Sequence, residues 1–337
     1  MGKALRLLIA GFGSVGQALG QQLDERCDEL RERIGGVSVV GVADRRTSVT
    51  NPKGLDIEEL VATKQRSEMV GKPGTPDALA LIGEIDADIY VELASAGGQD
   101  GEPGLSRIRR ALGRGMHVVS ANKMPLAVSY SSLMEEAKRR SLQLRYGACV
   151  GGGVPVIELG EACAASETIT RIDGVLNATS NYILTKMEQE KQSFEEALGE
   201  AQAAGYAETD PSLDIDGVDA ACKIVILGNH VLRSNFALKD VKELAGIRGV
   251  TAAQVEAARA SGKRIRMVAT AERYPRVGVT DLDETDPLVV NGASHSVRFR
   301  TSHGDKFVGG VGAGGPSTSA AVLRDIIHVA RAARGES

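Results

Sequence analysis

One short segment of the sequence concentrates groups that can move protons. Residues 205–223, GYAETDPSLDIDGVDAACK, contain five carboxylates and end in a lysine. Asp219 and Lys223 are four residues apart, so in a helix they lie one turn apart on one face, with the acid before the base. On a solvent-facing helix this is an ordinary surface ion pair, whereas in a cleft it is an oriented proton donor.

The four acids upstream of this pair follow Gly205, and Pro211 is expected to keep their loop extended. They are Glu208, Asp210, Asp214 and Asp216. A loop of this kind can aim acceptors at a cationic group such as the ammonium of an amino acid. The run VDAACKIVILGN after the loop predicts a helix with a buried apolar face.

The elements that must position these groups begin at the N-terminus. ALRLLIA predicts a buried strand, GFGSVG a turn, SVGQALGQQLDERCDELRERI a helix and VSVVGVAD a second strand, which together make one unit of a dinucleotide-binding fold. Gly11 permits the tight turn, Gly13 lets the backbone approach a pyrophosphate, and Gly16 permits close packing of helix on strand. The helix N-terminus would offer N–H groups to the phosphates. The expected cofactor contacts are Gly11, Phe12, Gly13, Ser14, Val15 and Gly16.

The end of the second strand bears on which nicotinamide cofactor binds. Asp44 is a candidate acceptor for the ribose hydroxyls of NAD. Arg45 and Arg46 follow at once, and their guanidinium groups can hold the 2′-phosphate of NADP unless they are merely solvated. We therefore expect NAD(P), with a slight preference for NADP.

Alternation of strands and helices continues and predicts a parallel sheet. DADIYVELA predicts a strand, SRIRRALGRG a helix, and MHVVSANKMPLA a strand that runs into a loop. That loop carries Ser120, Asn122 and Lys123 at the carboxyl end of a strand, where ligands of open α/β sheets bind. A lysine at such a position is otherwise simply solvated.

A second region follows the helix SYSSLMEEAKRRSL and the strand predicted for QLRYGACVGG. Strands in TITRIDGVLNAT and VRFRTSHGDKFVGGVG predict a mixed sheet there. The fold class is therefore α/β, with a Rossmann-type doubly wound parallel sheet and a second α+β domain that contains a mixed sheet.

Composition limits the classes of function. A chain of 337 residues predicts two domains, and a net charge of −4 with both signs interspersed favours small molecules over nucleic acid as partners. The four cysteines form no CxxC pair, which indicates a reducing cytoplasm. The five histidines lack metal-ligand spacing such as HExxH, so we expect no catalytic transition metal. No apolar run has the length of a signal peptide or a membrane span.

Six motifs together resemble the homoserine dehydrogenase family, occur in the family's order and cover most of the chain. They are GFGSVG, GEPGLSRIRRALGRGMHVVSANKMPLA, GGGVPVI, GVLNATSNYILTKM, GYAETDPSLDIDGVDAACK and GVGAGGPSTSAAVLRDI. The resemblance implies the reversible NAD(P)-dependent interconversion of L-homoserine and L-aspartate 4-semialdehyde. This reaction belongs to the branch of the aspartate pathway that leads to threonine, methionine and isoleucine.

The resemblance also implies roles for single residues. Lys223 is the catalytic lysine, Asp219 orients it, and Lys123 is the second active-site lysine. Which of the two lysines transfers the proton stays open. Substrate contacts are expected from Glu208, Asp214, Tyr206 and Thr179, with the first two pairing with the substrate ammonium.

The C-terminal motif returns to the nucleotide domain in this family. We therefore expect one domain at 1–148 plus 309–337 and a substrate-binding, catalytic and dimerisation domain at 149–308. Cofactor contacts near the C-terminus would come from Gly312, Ala313, Gly314 and Thr318, although a helix cap explains the glycines as well. The expected assembly is a homodimer. Long members carry a C-terminal domain that senses threonine, and we expect no threonine inhibition by that route.

The segment YGACVGGGVPVI raises the question of a bound Na⁺ or K⁺ ion. By resemblance the backbone carbonyl groups of Gly147, Val150, Gly152 and Val154 would hold it. Gly147 stands where this family often has glutamate. A turn that simply needs glycine is the alternative.

Two other functions fit parts of the sequence. Cys149 could serve as the nucleophile of a phosphorylating semialdehyde dehydrogenase, although a free cysteine is usually a small buried apolar residue. The chain could also be a non-catalytic dinucleotide-binding sensor. The combination of Lys123, Glu208, Asp219 and Lys223 argues against a sensor.

Overall fold

The computed structural model describes residues 4–94, 98–312 and 314–335. The strands in these ranges are β1 Leu5–Ala10, β2 Val37–Ala43, β3 Ser48–Thr50, β4 Ile89–Glu92, β5 His117–Ser120, β6 Leu144–Arg145, β7 Ile169–Val175, β8 Glu243–Leu244, β9 Lys263–Ala271, β10 Pro275–Asp283, β11 Ser294–Thr301 and β12 Gly304–Val311. The α-helices are α1 Ser14–Glu25, α2 Cys27–Ile34, α3 Ile57–Ser67, α4 Ala78–Glu84, α5 Gly104–Gly113, α6 Lys123–Arg139, α7 Ala148–Gly151, α8 Val156–Ala164, α9 Ala178–Gln189, α10 Phe194–Ala203, α11 Ser212–Ile215, α12 Val218–Val231, α13 Ala252–Ala260 and α14 Gly315–Ala333.

The chain divides into two compact units. Met1–Gly153 with Gly314–Ser337 form the first unit, and Val154–Ala313 form the second. These divisions lie at 153/154 and 313/314, whereas the sequence placed them at 148/149 and 308/309.

The sheet of the first unit has the strand order β3-β2-β1-β4-β5-β6. All neighbours are parallel except the short edge strand β3, which is antiparallel to β2. Buried side chains such as Leu7 and Ile9 on β1 pack with Val322 and Ile326 on α14 in one apolar cluster. The Rossmann-type sheet predicted from the alternating pattern is confirmed.

The sheet of the second unit has the order β12-β11-β7-β9-β10-β8 and is mixed, as predicted, because only β8 and β10 pair in parallel. Helix α12 packs on β7, β9 and β10, and 11 of its 14 residues are buried. A helix covered on nearly every side holds Asp219 and Lys223 in the interior. The ordinary surface ion pair is therefore excluded.

Three local predictions near the first unit's sheet are wrong. The first long helix is broken at Arg26 into α1 and α2. Lys123 is the first residue of α6 and not part of a loop. Pro125 lies in the first turn of this helix, where a backbone N–H has no partner within the helix, so proline is tolerated there. Only Leu144–Arg145 of QLRYGACVGG is a strand, and the small residues Ala148–Gly151 turn into α7.

Candidate active site

The three glycines after β1 differ in the room that they leave for a side chain. Gly11 has φ +98°, and a Cβ there would lie 2.7 Å from the backbone N of Ala94. A Cβ on Gly16 would lie 2.5 Å from the carbonyl oxygen of Gly11, so this glycine lets α1 approach the turn. A Cβ on Gly13 would meet nothing within 4 Å, which leaves open space beside the backbone there. This is the arrangement required for a pyrophosphate to reach the N-terminus of α1.

The other residues of the fingerprint differ in exposure. Phe12 is 1% exposed and belongs to the core, so its backbone rather than its side chain can face a ligand. Val15 is half-buried against the same core, and Ser14 is exposed.

Helices α1 and α14 of the first unit both begin directly after a glycine and without a side-chain cap. Helix α1 follows Gly13 and α14 follows Gly314, whereas α3 and α4 are capped by Asp56 and Asp77. The two starts are adjacent, since a Cβ on Gly315 would lie 2.3 Å from Ser14 Oγ. N–H groups at such starts are suited to an anionic ligand. Thr318 lies half-buried in the first turn of α14, and Ala313 lies outside the described residues.

Asp44, at the end of β2, already has several hydrogen-bond donors. Its carboxylate accepts from the backbone N–H groups of Arg46 and Thr47, each at 2.8 Å, and pairs with Lys64 Nζ at 2.7 Å. Burial alone would raise the pKa of Asp44, but these donors outweigh it and lower the pKa. Arg45 and Arg46 are both exposed.

Strands β4 and β5 end beside one another. Glu92 and Ser120 are paired in the register of the two strands and are both fully buried. The Ser120 hydroxyl accepts the Asn122 N–H and donates to the Asn122 carbonyl, both at 3.1 Å, so it fixes the two-residue link to Lys123.

In the candidate catalytic pair of the second unit, two acceptors orient the ammonium of Lys223. Lys223 Nζ lies 2.7 Å from Asp219 Oδ2 and donates to the Leu176 carbonyl oxygen at 2.7 Å. Their side chains are 12% and 8% exposed. An ammonium has three N–H bonds, so two acceptors aim the group and leave a third direction for a ligand oxygen.

Asn177 connects this pair to the acidic segment, residues 205–216, a role that the sequence did not reveal. Its Nδ2 donates to Asp219 Oδ2 at 2.9 Å and to Asp214 Oδ1 at 2.6 Å, while its Oδ1 caps α9 by accepting from Ser180 N. Asp214 lies in the short helix α11, not on an extended loop, because Pro211 precedes the first turn of that helix and is tolerated there. The signal available in the sequence was an N-cap asparagine between β7 and α9.

Of the other predicted substrate contacts, Thr179 lies next to Asp214, and Tyr206 and Glu208 are exposed. Thr179 Oγ1 lies 3.3 Å from Asp214 Oδ2 and donates to the Tyr206 carbonyl at 2.7 Å. The Tyr206 ring is 45% exposed and stacks on Tyr182 with centroids 4.5 Å apart. Glu208 is exposed.

His295 is a buried residue of the same unit that carried no sequence signal. It is 3% exposed, and among the described residues neither ring nitrogen has a hydrogen-bond partner. Burial, and then the positive charge of Lys223, lower the pKa of His295 to about 3, with Asp219 acting in the opposite direction. The imidazole is therefore neutral beside the ion pair.

Two further predicted features lie at the end of the first unit. Gly147 N donates to Asp325 Oδ2 at 2.8 Å, so a buried carboxylate lies against the segment proposed for a cation. The Cys149 thiol is buried and donates to the Ser120 carbonyl at 3.1 Å. In the described ranges no three His, Cys, Asp or Glu residues are grouped to hold a metal, and no helix there is long and apolar enough to cross a membrane.

Comparisons with known proteins identify the family to which this chain is similar. Residues 11–147 match the model of the homoserine dehydrogenase NAD-binding domain, and residues 155–327 match the homoserine dehydrogenase model. An NAD(+)-dependent homoserine dehydrogenase of Pseudomonas canavaninivorans is 36% identical over 97% of this chain and 97% of that protein.

Solved structures give the same result. A putative homoserine dehydrogenase from Archaeoglobus fulgidus superposes with a TM-score of 0.89 at 34% identity, over 96% of this chain and 99% of that one. A hyperthermophilic archaeal homoserine dehydrogenase in complex with NADPH has a TM-score of 0.86 at 29% identity, over 99% of both chains.

Fold, site and comparisons together define an NAD(P)-dependent oxidoreductase that acts on a CH–OH group. Within that class, the chain belongs to the homoserine dehydrogenase family. The two alternatives, a Cys149-dependent semialdehyde dehydrogenase and a non-catalytic sensor, are not favoured.

Proposed function

We propose that the protein interconverts L-homoserine and L-aspartate 4-semialdehyde, within the branch that leads to threonine, methionine and isoleucine. The observation that carries the proposal is the Lys223 ammonium, 12% exposed and held by Asp219 and the Leu176 carbonyl. The bound nicotinamide supplies or accepts the hydride at the substrate carbon. A lysine ammonium would then give the aldehyde oxygen the proton that it gains on reduction, and in the reverse direction the neutral lysine amine would take the hydroxyl proton.

Lys223 is the proposed catalytic lysine and Lys123 the second active-site lysine. Asp219 keeps Lys223 oriented, and the neighbouring Asn177 keeps Asp219 from rotating away. Which lysine transfers the proton is decided by comparing the pH profiles of the two alanine variants.

The substrate ammonium is proposed to bind at the acidic segment. Glu208 supplies an exposed carboxylate, while Asp214 supplies one already fixed by Asn177. Tyr206 and Thr179 complete this end, since the threonine hydroxyl ties the Tyr206 backbone to Asp214. A charge-assisted contact of this type contributes about 1.5 to 3 kcal/mol.

The cofactor is proposed to be NADP in preference to NAD. The Asp44 charge is offset by Lys64, so it repels a 2′-phosphate less, and Arg45 and Arg46 are exposed beside it. The pyrophosphate would lie at the N-terminus of α1, with Gly312, Gly314 and Thr318 contributing from the C-terminal segment. Equal kcat/KM for NAD and NADP would contradict the preference.

A homodimer and a cytoplasmic location are also proposed. Exposed apolar side chains support the dimer, because Leu244, Val279, Phe307 and Val311 all lie on strands of the second unit's sheet. The location is supported by the four cysteines, none of which forms a disulfide. Light scattering that gives the mass of a single chain would contradict the dimer.

A Na⁺ or K⁺ ion is proposed at the carbonyl groups of Gly147, Val150, Gly152 and Val154. The fit is supported by the Asp325 carboxylate against Gly147, which brings a negative charge to the position where the family often has glutamate. If neither ion changes the melting temperature or the rate, the proposal is wrong.

The reaction is tested by following nicotinamide absorbance during L-homoserine oxidation at alkaline pH, with NAD and NADP in parallel. Cys149→Ser is the matched control, since serine keeps a donor to the Ser120 carbonyl. We expect turnover without added phosphate and equal turnover in the control. Turnover that requires both phosphate and Cys149 would favour the semialdehyde dehydrogenase, and no turnover in protein that binds the cofactors would favour the sensor.

A further inference from the structure

A buried carboxylate connects the ends of β4 and β5 in the first unit. Glu92 is fully buried, and its Oε2 accepts a hydrogen bond from the Tyr90 hydroxyl at 2.6 Å. Its Oε1 accepts from the backbone N–H of Ala94 at 3.1 Å, and the Asn122 side chain lies close enough to the carboxylate to lower its pKa. One acidic side chain thus lies against the segments that follow two adjacent strands, at the edge where dinucleotides bind.

Asn122 shows what this contact does to the start of α6. It occupies the N-cap position of that helix, where an asparagine side chain usually accepts a hydrogen bond from the first turn. Its side chain makes no such cap bond and instead lies near the Glu92 carboxylate. The position of Lys123, the next residue, therefore depends on the contact between Asn122 and Glu92.

We propose that Glu92 is a positioning residue of the dinucleotide site, whose ionised carboxylate holds Ala94 and Asn122 and thereby sets the start of α6. The assignment of this edge to the cofactor rests on the proposed function. Loss of the negative charge weakens both contacts, since a neutral carboxyl is a poorer acceptor than a carboxylate. Cofactor affinity then falls when Glu92 takes up a proton.

Glu92 gains and loses its proton near neutral pH. Burial raises its pKa to about 7, and the Tyr90 hydroxyl, the charge of Arg107, the Ala94 N–H and Asn122 limit the rise. Arg107 reaches from α5 to 3.9 Å from Oε1, and Tyr90 lies two residues earlier on β4. Burial, and then the Glu92 charge, raise the pKa of Tyr90 well above its usual value, so Tyr90 does not titrate together with Glu92.

The test is NADPH binding to the whole protein by fluorescence at pH 6 and pH 8, in the wild type and in Glu92→Gln. Because the 2′-phosphate of NADPH also titrates near this range, the quantity compared is the ratio of variant to wild-type Kd at each pH. We expect Glu92→Gln to bind roughly tenfold more weakly at pH 8 and about equally at pH 6. The same ratio at both pH values would overturn the proposal.

Tyr90→Phe provides a second test that does not depend on the first variant folding. It removes a donor to the carboxylate, so the midpoint of the wild-type pH dependence should move to higher pH. A residue with only a structural role would leave that midpoint in place, and an unmoved midpoint contradicts the proposal. NADPH binding needs no homoserine turnover, so failure of the proposed reaction is recognised separately.

Discussion

The two units prepare their ligand-binding groups by different means. In the first unit these groups are mainly backbone N–H groups, because α1 and α14 start after Gly13 and Gly314 without a side-chain cap. In the second unit the groups are side chains, which form a hydrogen-bonded series from Lys223 to Asp219, Asn177 and Asp214. A backbone site is encoded in a few consecutive residues, whereas a side-chain network joins segments far apart in the sequence. Substitutions should therefore separate binding from turnover.

The largest effect is expected from the glycines of the first unit. Gly11→Ala places a methyl group 2.7 Å from the Ala94 backbone at a positive φ, so we expect a loss of at least about 3 kcal/mol of folding stability together with cofactor binding. Gly13→Ala is the matched control, since its methyl group meets open space. It should melt within a few degrees of the wild type and still bind NADPH poorly. Strong NADPH binding by Gly13→Ala would show that the pyrophosphate does not bind against Gly13.

The buried Glu92 should give a stability that depends on pH. Its pKa is raised from 4.5 to about 7 by burial, so the folded protein keeps a proton that the unfolded chain releases. Relative to Glu92→Gln, the wild type should lose on the order of 3 kcal/mol as the pH rises from 4.5 through 7. Chemical denaturation of both proteins across this range measures it. Parallel stability curves would show that the carboxyl is not buried as described.

Asn177→Ala tests the side-chain network of the second unit. It leaves two carboxylates without their shared donor and removes the cap of α9, so we expect a loss of about 1 to 3 kcal/mol and of roughly tenfold or more in kcat/KM. Asn229→Ala is the control, because Asn229 is also buried and makes two bonds, both to the Phe236 backbone. The control should lose stability and keep kcat/KM. Equal kinetic losses would mean that Asn177 acts through stability alone.

Glu208→Ala should have the smallest effect on the fold. The side chain is exposed, so stability should stay within about 0.5 kcal/mol while KM for homoserine rises roughly tenfold at nearly constant kcat. Thr209→Ala, an exposed neighbour, is the control. An unchanged KM would exclude Glu208 from the ammonium site.

Much of the first unit could be predicted because its signals are local. A buried apolar run followed by GFGSVG predicts strand, turn and helix, and β1 and α1 confirm it. The start of α6 was missed because Pro125 looks like a loop residue, although the first turn of a helix tolerates it. The pair between Asp44 and Lys64 joins residues twenty positions apart, and no local pattern indicates it.

Less of the second unit could be predicted, because its contacts join residues that are far apart in the sequence. The spacing of Asp219 and Lys223 predicted their contact, but only the burial of α12 shows that the pair is interior. Asn177 and His295 reach the neighbourhood of the pair from β-strand ends more than forty residues away in sequence. Such neighbours follow from the sheet order, which a single sequence does not specify.

The most direct test of the account is homoserine-dependent reduction of NAD and NADP by Lys223→Ala, with NADPH binding and melting temperature measured on the same sample. We expect kcat to fall by about 10² to 10⁴, with the NADPH Kd unchanged, because the proposed role of Lys223 is at the reacting oxygen of the substrate and not in cofactor binding. A variant that keeps the wild-type rate would contradict the role assigned to the buried lysine.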